Sequence, residues 1–329
     1  MIWSIRRYIT ITEKYMSRDN FSTKTAFVFP GQGSQKTGMA RSFYEQDSHA
    51  RAVFKEMDAA VDFELLDLCF EGDSEELRPT RNTQPTVLAA GIAAYMAVHN
   101  QVGRFPHYMS GHSLGQYTAV TAAGGLDPTT SVQVVRKRGE VMEAVCEDID
   151  GRMVAVLLVS PNIVASICEE FTEVSVAGFN GPKQTVISGT ATAVDGVIET
   201  LKKSEDNPIR FIDLDISEPF HSPIMKPAEQ KLAPVLQRYQ PDTVLHTPVV
   251  SSTTKEMIKN PNEVLASLKT QITNPVDWTG VVDRLKAEGV QQYVEFPPSG
   301  TLASFITTIH PDAEVVAIDS IEDIDKLKI

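Results

Sequence analysis

The segment GHSLG at residues 111–115 constrains this chain more than any other feature, because it matches the G-x-S-x-G pattern of a nucleophile elbow. In that motif a serine, here Ser113, stands on a tight turn between a strand and a helix, with its hydroxyl group pointing outwards. Residues 107–110 are predicted to form the strand, and residues 116–123 the helix, which two glycines then end. The same pattern also occurs in ordinary strand-to-helix turns, so it is this flanking context that favours a nucleophilic Ser113.

Length, charge and cysteine content limit the classes of protein to which the chain can belong. With 329 residues and 42% hydrophobic content, it is long enough for one large domain carrying an insertion or for two domains. A net charge of −13 disfavours a nucleic-acid partner. The three widely spaced cysteines predict neither a disulfide framework nor a metal site, and they suit a reducing cytoplasm. The apolar runs are too short for a transmembrane helix, so no membrane association is expected.

The order of the apolar segments predicts an α/β protein. An apolar run at residues 25–29, closed by proline and glycine, predicts a buried strand of a parallel sheet. An alanine-rich stretch at residues 86–99 predicts a buried helix. Between residues 151 and 216 the pattern predicts the order β-α-β-β-α-β, which is the signature of a ferredoxin-like unit.

These segments together predict two domains and a terminal extension. We expect a large α/β-hydrolase-like domain with a parallel sheet over residues 25–148 and 218–329. A small ferredoxin-like domain is expected as an insertion at residues 149–217. Residues 1–24 are expected to be an extension outside the fold, the alternatives being a true start at Met16 or a loosely ordered segment.

A histidine base is the next requirement, because a serine hydroxyl is a poor nucleophile until its proton is accepted. In elbow enzymes the histidine follows the serine in sequence, and the candidates here are His221, His246 and His310. His221 has the best setting, because it lies in a proline-containing loop where the chain re-enters the large domain, and active-site clefts often lie between domains. A lone loop histidine is usually only solvated, and His310, near the C-terminus, is the alternative base.

Two further segments carry groups that acyl chemistry needs. The glycine-rich loop at residues 29–35 follows the first predicted strand, and such loops present backbone N–H groups to a ligand. This loop and the N–H group of Leu114 are candidates for an oxyanion hole, the alternatives for the loop being a phosphate loop or an ordinary turn. Arg138, on the helix predicted after the elbow helix, has a planar guanidinium group suited to a substrate carboxylate. The alternative for Arg138 is a solvated helix face.

Five separated segments together resemble the malonyl-CoA:acyl-carrier-protein transacylase family, whose domain also serves as the acyltransferase of polyketide and fatty-acid synthases. The resemblance covers about residues 25–319 and is more specific than any one motif. In chain order the segments are FVFPGQGSQ at 27–35, GHSLG at 111–115, Arg138-Gly139 with Met142, PFHSP at 219–223 with Met225, and Gln271 with NPV at 274–276 and Trp278.

The resemblance implies a role for each matching residue. Ser113 becomes acylated, while His221 acts first as general base and then as general acid. The main-chain carbonyl group of Gln271 orients His221, in place of the acidic member of a catalytic triad. Arg138 binds the free carboxylate of the malonyl group.

Other matching residues are implied to shape the pocket. The backbone N–H groups of Gln32 and Leu114 form the oxyanion hole. Asn180 lies near the pocket on the small domain. Phe220 resembles the malonyl-selective rather than the methylmalonyl-selective form of its motif.

The activity implied is a two-step, ping-pong transfer of malonyl from malonyl-CoA to the phosphopantetheine thiol of acyl carrier protein, serving fatty-acid synthesis. No cofactor or metal ion is expected, and the enzyme is expected to be a cytoplasmic monomer. The alternatives are a serine thioesterase or carboxylesterase, a stand-alone acyltransferase of a polyketide or malonate pathway, and a catalytically silent subunit of a synthase.

Overall fold

A computed structural model describes residues 20–204, 208–239 and 243–327, and they form two sheets with surrounding helices. The strands are β1 Thr25–Phe29, β2 Tyr108–Gly111, β3 Gly151–Leu157, β4 Val174–Gly181, β5 Gln184–Thr190, β6 Arg210–Asp213, β7 Val249–Val250, β8 Met257–Ile258, β9 Val276–Asp277, β10 Gln292–Glu295 and β11 Glu314–Ala317. The α-helices are α1 Arg41–Gln46, α2 Ser48–Asp58, α3 Leu65–Glu71, α4 Ser74–Leu77, α5 Thr80–Val102, α6 Leu114–Ala122, α7 Pro128–Cys146, α8 Pro161–Cys168, α9 Ala191–Ser204, α10 Lys226–Arg238, α11 Pro261–Thr270, α12 Trp278–Ala287 and α13 Thr301–Ile309. Short 3₁₀ helices lie at Pro223–Met225, Gln271–Thr273 and Ile321–Lys326.

The larger sheet has six strands in the order β11-β10-β1-β2-β7-β8. Neighbouring strands from β11 to β7 are parallel, and only the short edge strand β8 is antiparallel to its neighbour. Every residue of β1 is buried, as its continuous apolar run requires inside a parallel sheet that is covered on both faces. The prediction of a mixed α/β protein with a parallel sheet is confirmed.

The smaller sheet has five strands in the order β6-β3-β5-β4-β9. The elements from β3 to β6 follow one another as β-α-β-β-α-β, and β3, β4, β5 and β6 pair antiparallel. The fifth strand, β9, is parallel to β4 and comes from the segment that the sequence assigned to the large domain. A strand of two residues is too short for an alternating pattern, so its place in this sheet has no local sequence signal.

Helix α5 is buried over most of its length and begins six residues before the predicted helix. Pro85 lies inside it and has no N–H group to donate to the carbonyl oxygen of Arg81. Nη1 of Arg136, on α7, donates to that oxygen instead, at 2.9 Å. This contact lets the helix continue through a proline and fixes α7, which carries Arg138, against α5.

The packed part of the chain begins before residue 25. Phe21 is 3% exposed, and its ring centre lies 5.6 Å from that of Phe27, so part of the predicted extension contributes to the core. The rest of the predicted extension, residues 1–19, lies outside the described residues. Among the helices described, none has both the length and the apolar character to cross a membrane.

Candidate active site

Ser113 occupies the tight turn between β2 and α6, beyond the carboxyl end of a strand in the parallel sheet. Its φ is 51° and its ψ is −109°, a conformation that non-glycine residues rarely adopt. A Cβ atom on Gly111 would lie 2.0 Å from the carbonyl carbon of Gly115, and one on Gly115 would lie 2.0 Å from the carbonyl oxygen of Phe29. Both positions therefore require glycine, and the predicted strand-turn-helix setting of the motif is confirmed.

His221 lies in the loop between β6 and α10 and meets Ser113 across the site. Its Nε2 atom is 2.8 Å from Oγ of Ser113. Its Nδ1 atom is 3.0 Å from the main-chain oxygens of both Gln271 and Asn274. Because carbonyl oxygens only accept hydrogen bonds, the network assigns the imidazole proton to Nδ1 and leaves Nε2 free to accept the Ser113 hydroxyl proton.

Electrostatics keep this imidazole neutral. Burial is the main cause that lowers the pKa of His221 from 6.5 to about 3, and the Arg138 cation and the His112 ring lower it further. The two carbonyl groups on Nδ1 act in the opposite direction but are outweighed. A histidine that is neutral near pH 7 can serve as a general base without first losing a proton.

Arg138, on α7, is 1% exposed and lies beside the serine. Its Nη2 atom donates to Oγ of Ser113 at 3.3 Å and to Oε1 of Gln271 at 3.2 Å, and the Tyr117 ring centre is 5.3 Å from its Cζ atom. Its Nε atom has no hydrogen-bond partner within the described part of the chain. Burial lowers the pKa of Arg138, and no carboxylate of the described residues counteracts it. A buried guanidinium group without a counter-ion suits an anionic ligand.

The groups expected to form an oxyanion hole lie at the same edge of the parallel sheet. Leu114 is the first residue of α6, and the first N–H groups of a helix have no acceptor within that helix. Gln32 lies in the loop after β1, which lines the site. The side-chain Nε2 atom of Gln32 donates to Oγ1 of Thr80 at 2.9 Å and thereby ties the loop to the start of α5.

A cleft of about 460 Å³ opens between the two sheets, and Ser113, His221 and Arg138 line it. Asn180, on β4, also lines the cleft, and its Oδ1 atom is 2.9 Å from Nε2 of His112. Phe220 is 5% exposed and contributes an apolar wall. The cleft therefore brings together residues of the sequence-predicted set that come from distant parts of the chain.

The other candidate bases are engaged elsewhere. Nε2 of His246 is 2.9 Å from the carbonyl oxygen of Ala122, and Nδ1 of His310 is 3.2 Å from the hydroxyl group of Tyr293. Neither histidine lines the cleft. The structure therefore does not bring His310, the alternative base, to Ser113, and the role of His221 as the base stays a prediction.

Two contacts in the site were missed from the sequence. The carbonyl group of Asn274 shares Nδ1 of His221 with Gln271, and His112 bonds to Asn180. Pro275 is the signal that points to the first, because a residue before proline is driven to extended backbone, and Asn274 has φ −114° and ψ 148°.

Residues 26–321 match the family model described as the acyl transferase domain. The chain belongs to the acyl transferase family. This acyl transferase is 36% identical over 307 residues to the malonyl CoA-acyl carrier protein transacylase of Bacillus subtilis (strain 168), which covers 92% of the chain and 96% of the relative. It is also 36% identical over 292 residues to the protein of the same name from Escherichia coli (strain K12), covering 87% of the chain and 93% of the relative.

Solved structures resemble the acyl transferase over nearly its whole length. An acyl carrier protein S-malonyltransferase from Vibrio cholerae has a TM-score of 0.88 and 32% identity, covering 93% of this chain and 100% of that chain. A malonyl-transacylase in complex with its type II PKS acyl-carrier protein has a TM-score of 0.88 and 30% identity, covering 92% and 98%. The recognition of the malonyl-CoA:acyl-carrier-protein transacylase family from sequence is confirmed.

Proposed function

We propose that this acyl transferase moves a malonyl group from malonyl-CoA to the phosphopantetheine thiol of acyl carrier protein through a malonyl ester of Ser113. The observation that carries the proposal is the position of the Ser113 Oγ atom, 2.8 Å from Nε2 of His221 and 3.3 Å from Nη2 of Arg138. A short acyl group on that oxygen would have its carboxylate within reach of the buried guanidinium group. The relatives from Bacillus subtilis and Escherichia coli are named for the same reaction, which supports it here.

In the first half-reaction, Arg138 holds the malonyl carboxylate while Oγ of Ser113 attacks the thioester carbonyl carbon. The hydroxyl proton moves to Nε2 of His221 as the C–O bond forms. The backbone N–H groups of Gln32 and Leu114 stabilise the oxyanion, and one such donor is typically worth about 3 kcal/mol. The tetrahedral intermediate then breaks its C–S bond, and the imidazolium group gives the proton to the departing CoA thiolate.

In the second half-reaction, the pantetheine thiol of the carrier protein takes the place of CoA. Nε2 of His221 accepts the thiol proton, the sulfur attacks the ester carbonyl, and Ser113 leaves and regains the proton. The carbonyl groups of Gln271 and Asn274 keep the Nδ1–H tautomer throughout, which is the orienting task of the acid in a serine-histidine-aspartate triad.

Arg138 favours this reaction over that of a general thioesterase or carboxylesterase. A hydrolase of neutral acyl groups gains nothing from a buried cation in its acyl pocket, whereas a malonyl group supplies the missing counter-ion. Phe220 lines the apolar side of the same pocket, and the resemblance of its motif to the malonyl-selective form supports malonyl over methylmalonyl as the substrate. Fatty-acid synthesis is the pathway that we propose for the product.

We also propose that the chain folds into a large and a small domain. The elbow at the end of a parallel sheet supports a hydrolase-like large domain over residues 25–148 and 218–329. The strand order β6-β3-β5-β4, with helices α8 and α9 in the intervening connections, supports a ferredoxin-like small domain at residues 149–217. Cys69, Cys146 and Cys168 are buried free thiols, which supports a reducing, cytoplasmic location. A monomeric state stays a prediction.

Intact-mass analysis of the whole chain tests the proposed function. Incubation with malonyl-CoA is expected to replace one hydrogen by one malonyl group, and addition of pantetheinylated acyl carrier protein is expected to remove it and acylate the carrier. Ser113→Ala is expected to abolish the adduct, because it removes the acylated oxygen. Free malonate without carrier acylation would instead identify a hydrolase, and wild-type enzyme without any adduct would identify a catalytically silent subunit.

A further inference from the structure

Gln271 contacts all three residues of the proposed chemistry, and its side chain is not needed for the contact with His221. Its main-chain oxygen accepts the hydrogen bond from Nδ1 of His221. Its side-chain Nε2 atom donates to the carbonyl oxygen of Ser113 at 2.9 Å, and its Oε1 atom accepts from Nη2 of Arg138 at 3.2 Å. The side chain is completely buried, so this arrangement is a fixed part of the core.

A buried network fixes which way this side-chain amide points. The backbone N–H group of Ser252 donates to Oε1 of Gln116 at 2.8 Å, and Nε2 of Gln116 donates to Oγ of Ser267 at 2.8 Å. The oxygen of Gln116 therefore faces Gln271, whose Nε2 atom lies 3.3 Å from it. With that nitrogen held by Gln116 and by the Ser113 carbonyl group, the oxygen of Gln271 must face Arg138.

Gln271 therefore offers Arg138 a hydrogen-bond acceptor that carries no charge. A hydrogen bond to an ionised group holds the guanidinium group in place, yet a neutral amide leaves its positive charge uncompensated. A carboxylate at this place would lose the hydrogen bonds that Nε2 donates to the carbonyl oxygen of Ser113 and to Oε1 of Gln116, and as an ion pair with Arg138 it would compete with any anionic substrate.

We propose that Gln271 is a positioning residue whose side-chain amide, oriented by Gln116, holds Arg138. In this position Arg138 is selective for acyl groups that bear a carboxylate. This inference rests on the proposed function, since it concerns how the malonyl group is recognised. It separates two tasks of one residue: the main chain of Gln271 serves the base, and its side chain serves substrate selection.

The test compares rates of acyl-enzyme formation with malonyl-CoA and with acetyl-CoA, which lacks the terminal carboxylate. For Gln271→Met, which keeps the main-chain carbonyl group and most of the volume, the malonyl-to-acetyl ratio of kcat/KM is expected to fall about tenfold, the size of a lost hydrogen bond to a charged group. For Gln271→Glu the ratio is expected to fall about a hundredfold, because an internal ion pair neutralises Arg138. Gln116→Met should lower the ratio in the same direction by a smaller factor.

Matched controls separate positioning from a loss of structure. Gln133→Met changes an exposed glutamine of α7 away from the cleft, and it is expected to leave the ratio unchanged. Arg138→Ala marks the lowest ratio that loss of carboxylate recognition can produce. The ratio itself does not depend on the fraction of folded enzyme, so a destabilised variant still gives an answer.

The outcomes also distinguish this inference from the function on which it rests. Equal losses for both substrates in the Gln271 variants, or a Gln271→Glu enzyme as selective as the wild type, would overturn the inference alone. A wild-type enzyme with no preference for malonyl-CoA would overturn the proposed function instead.

Discussion

In the proposed reaction, His221 accepts a proton at a buried position where the resulting charge is poorly solvated. The cost of that charge is what lowers its pKa, and Arg138 adds to the cost until a substrate carboxylate compensates the guanidinium group. Binding of the malonyl carboxylate to Arg138 therefore changes the environment of His221 before the proton is transferred. A malonyl group that pairs with Arg138 makes protonation of His221 easier at the moment when the reaction needs it.

The pH dependence of acylation follows from this environment. Since the folded-state pKa of His221 is about 3, the free enzyme keeps a neutral base as the pH falls from 8 to 5. We expect kcat/KM for formation of the malonyl-enzyme to stay nearly constant over that range, whereas a histidine with an ordinary pKa of 6.5 would lose most of its activity. Quenched acylation assays at each pH measure this kcat/KM. Return of each sample to pH 8 before a second assay is the control for stability. A midpoint near pH 6.5 would contradict the assigned environment.

Sequence motifs and the family resemblance pointed to Ser113, His221, Arg138 and the main-chain carbonyl group of Gln271, but not to the side-chain contact that holds Arg138. Ser113, His221 and Arg138 each stand in a segment whose pattern or family resemblance points to chemistry. The amide contact between Gln271 and Arg138 joins residues far apart in the chain, and nothing local in either segment encodes it. The orientation of that amide further depends on Gln116, which is a helix residue with no distinctive pattern around it.

The elbow is the element that sets the position of the nucleophile, and its tolerance for side chains can be measured. Gly115→Ala would bring a Cβ atom to 2.0 Å from the carbonyl oxygen of Phe29, so β1 and α6 would have to separate. We expect the free energy of unfolding to fall by about 3 kcal/mol, as for an overpacked core, and the rate of Ser113 acylation to fall with it. Denaturant titration and intact-mass kinetics measure the two effects.

Gly181→Ala is the matched control for that prediction. Gly181 lies on β4, and the nearest atom to an added Cβ is Cβ of Gln184 at 3.8 Å, which is an ordinary contact. The change is expected to alter the free energy of unfolding by less than about 0.5 kcal/mol. If the two variants were equally stable, the close approach of α6 to β1 would not be a constraint.

Elements with a strong local pattern could be predicted from the sequence, and very short elements could not. The strand β1 and helix α7 carry strong local signals, namely a continuous apolar run and a proline after an aspartate N-cap. The strand β9 has two residues, and only its long-range pairing with β4 defines it. The early start of α5 likewise depends on Arg136 replacing a hydrogen bond that Pro85 removes.

At the scale of the whole molecule, the cleft lies where loops at the carboxyl edge of the parallel sheet meet strands of the smaller sheet. The parallel sheet draws β1 and β2 from the first part and β10 and β11 from the last, so its strand order depends on contacts that no local pattern reports. The sequence predicted a larger and a smaller unit. It could not assign β9 to the smaller sheet.

Burial of histidines also makes the stability of the whole fold sensitive to acid. Burial lowers the pKa of His246 to about 4, and the pKa values of His107, His112, His221 and His310 are lowered too. Below pH 6.5 the unfolded chain therefore binds protons that the folded chain does not, and the free energy of unfolding decreases as the pH falls. Buried carboxyl groups such as Glu295, whose pKa is raised, act with the opposite sign, so a single histidine is best measured by difference.

His246→Gln isolates one of these contributions without touching the cleft. Glutamine does not titrate and can still donate to the carbonyl oxygen of Ala122, which His246 contacts at 2.9 Å. Between pH 8 and pH 5 the wild type should lose about 2 kcal/mol more than the variant, because 1.5 pH units below an unfolded pKa of 6.5 cost about 1.4 kcal/mol each. Paired denaturant titrations at the two pH values measure this difference. The difference in unfolding free energy between the wild type and the variant could instead be the same at both pH values. His246 would then titrate alike in the folded and unfolded states, and its burial would not contribute to acid sensitivity.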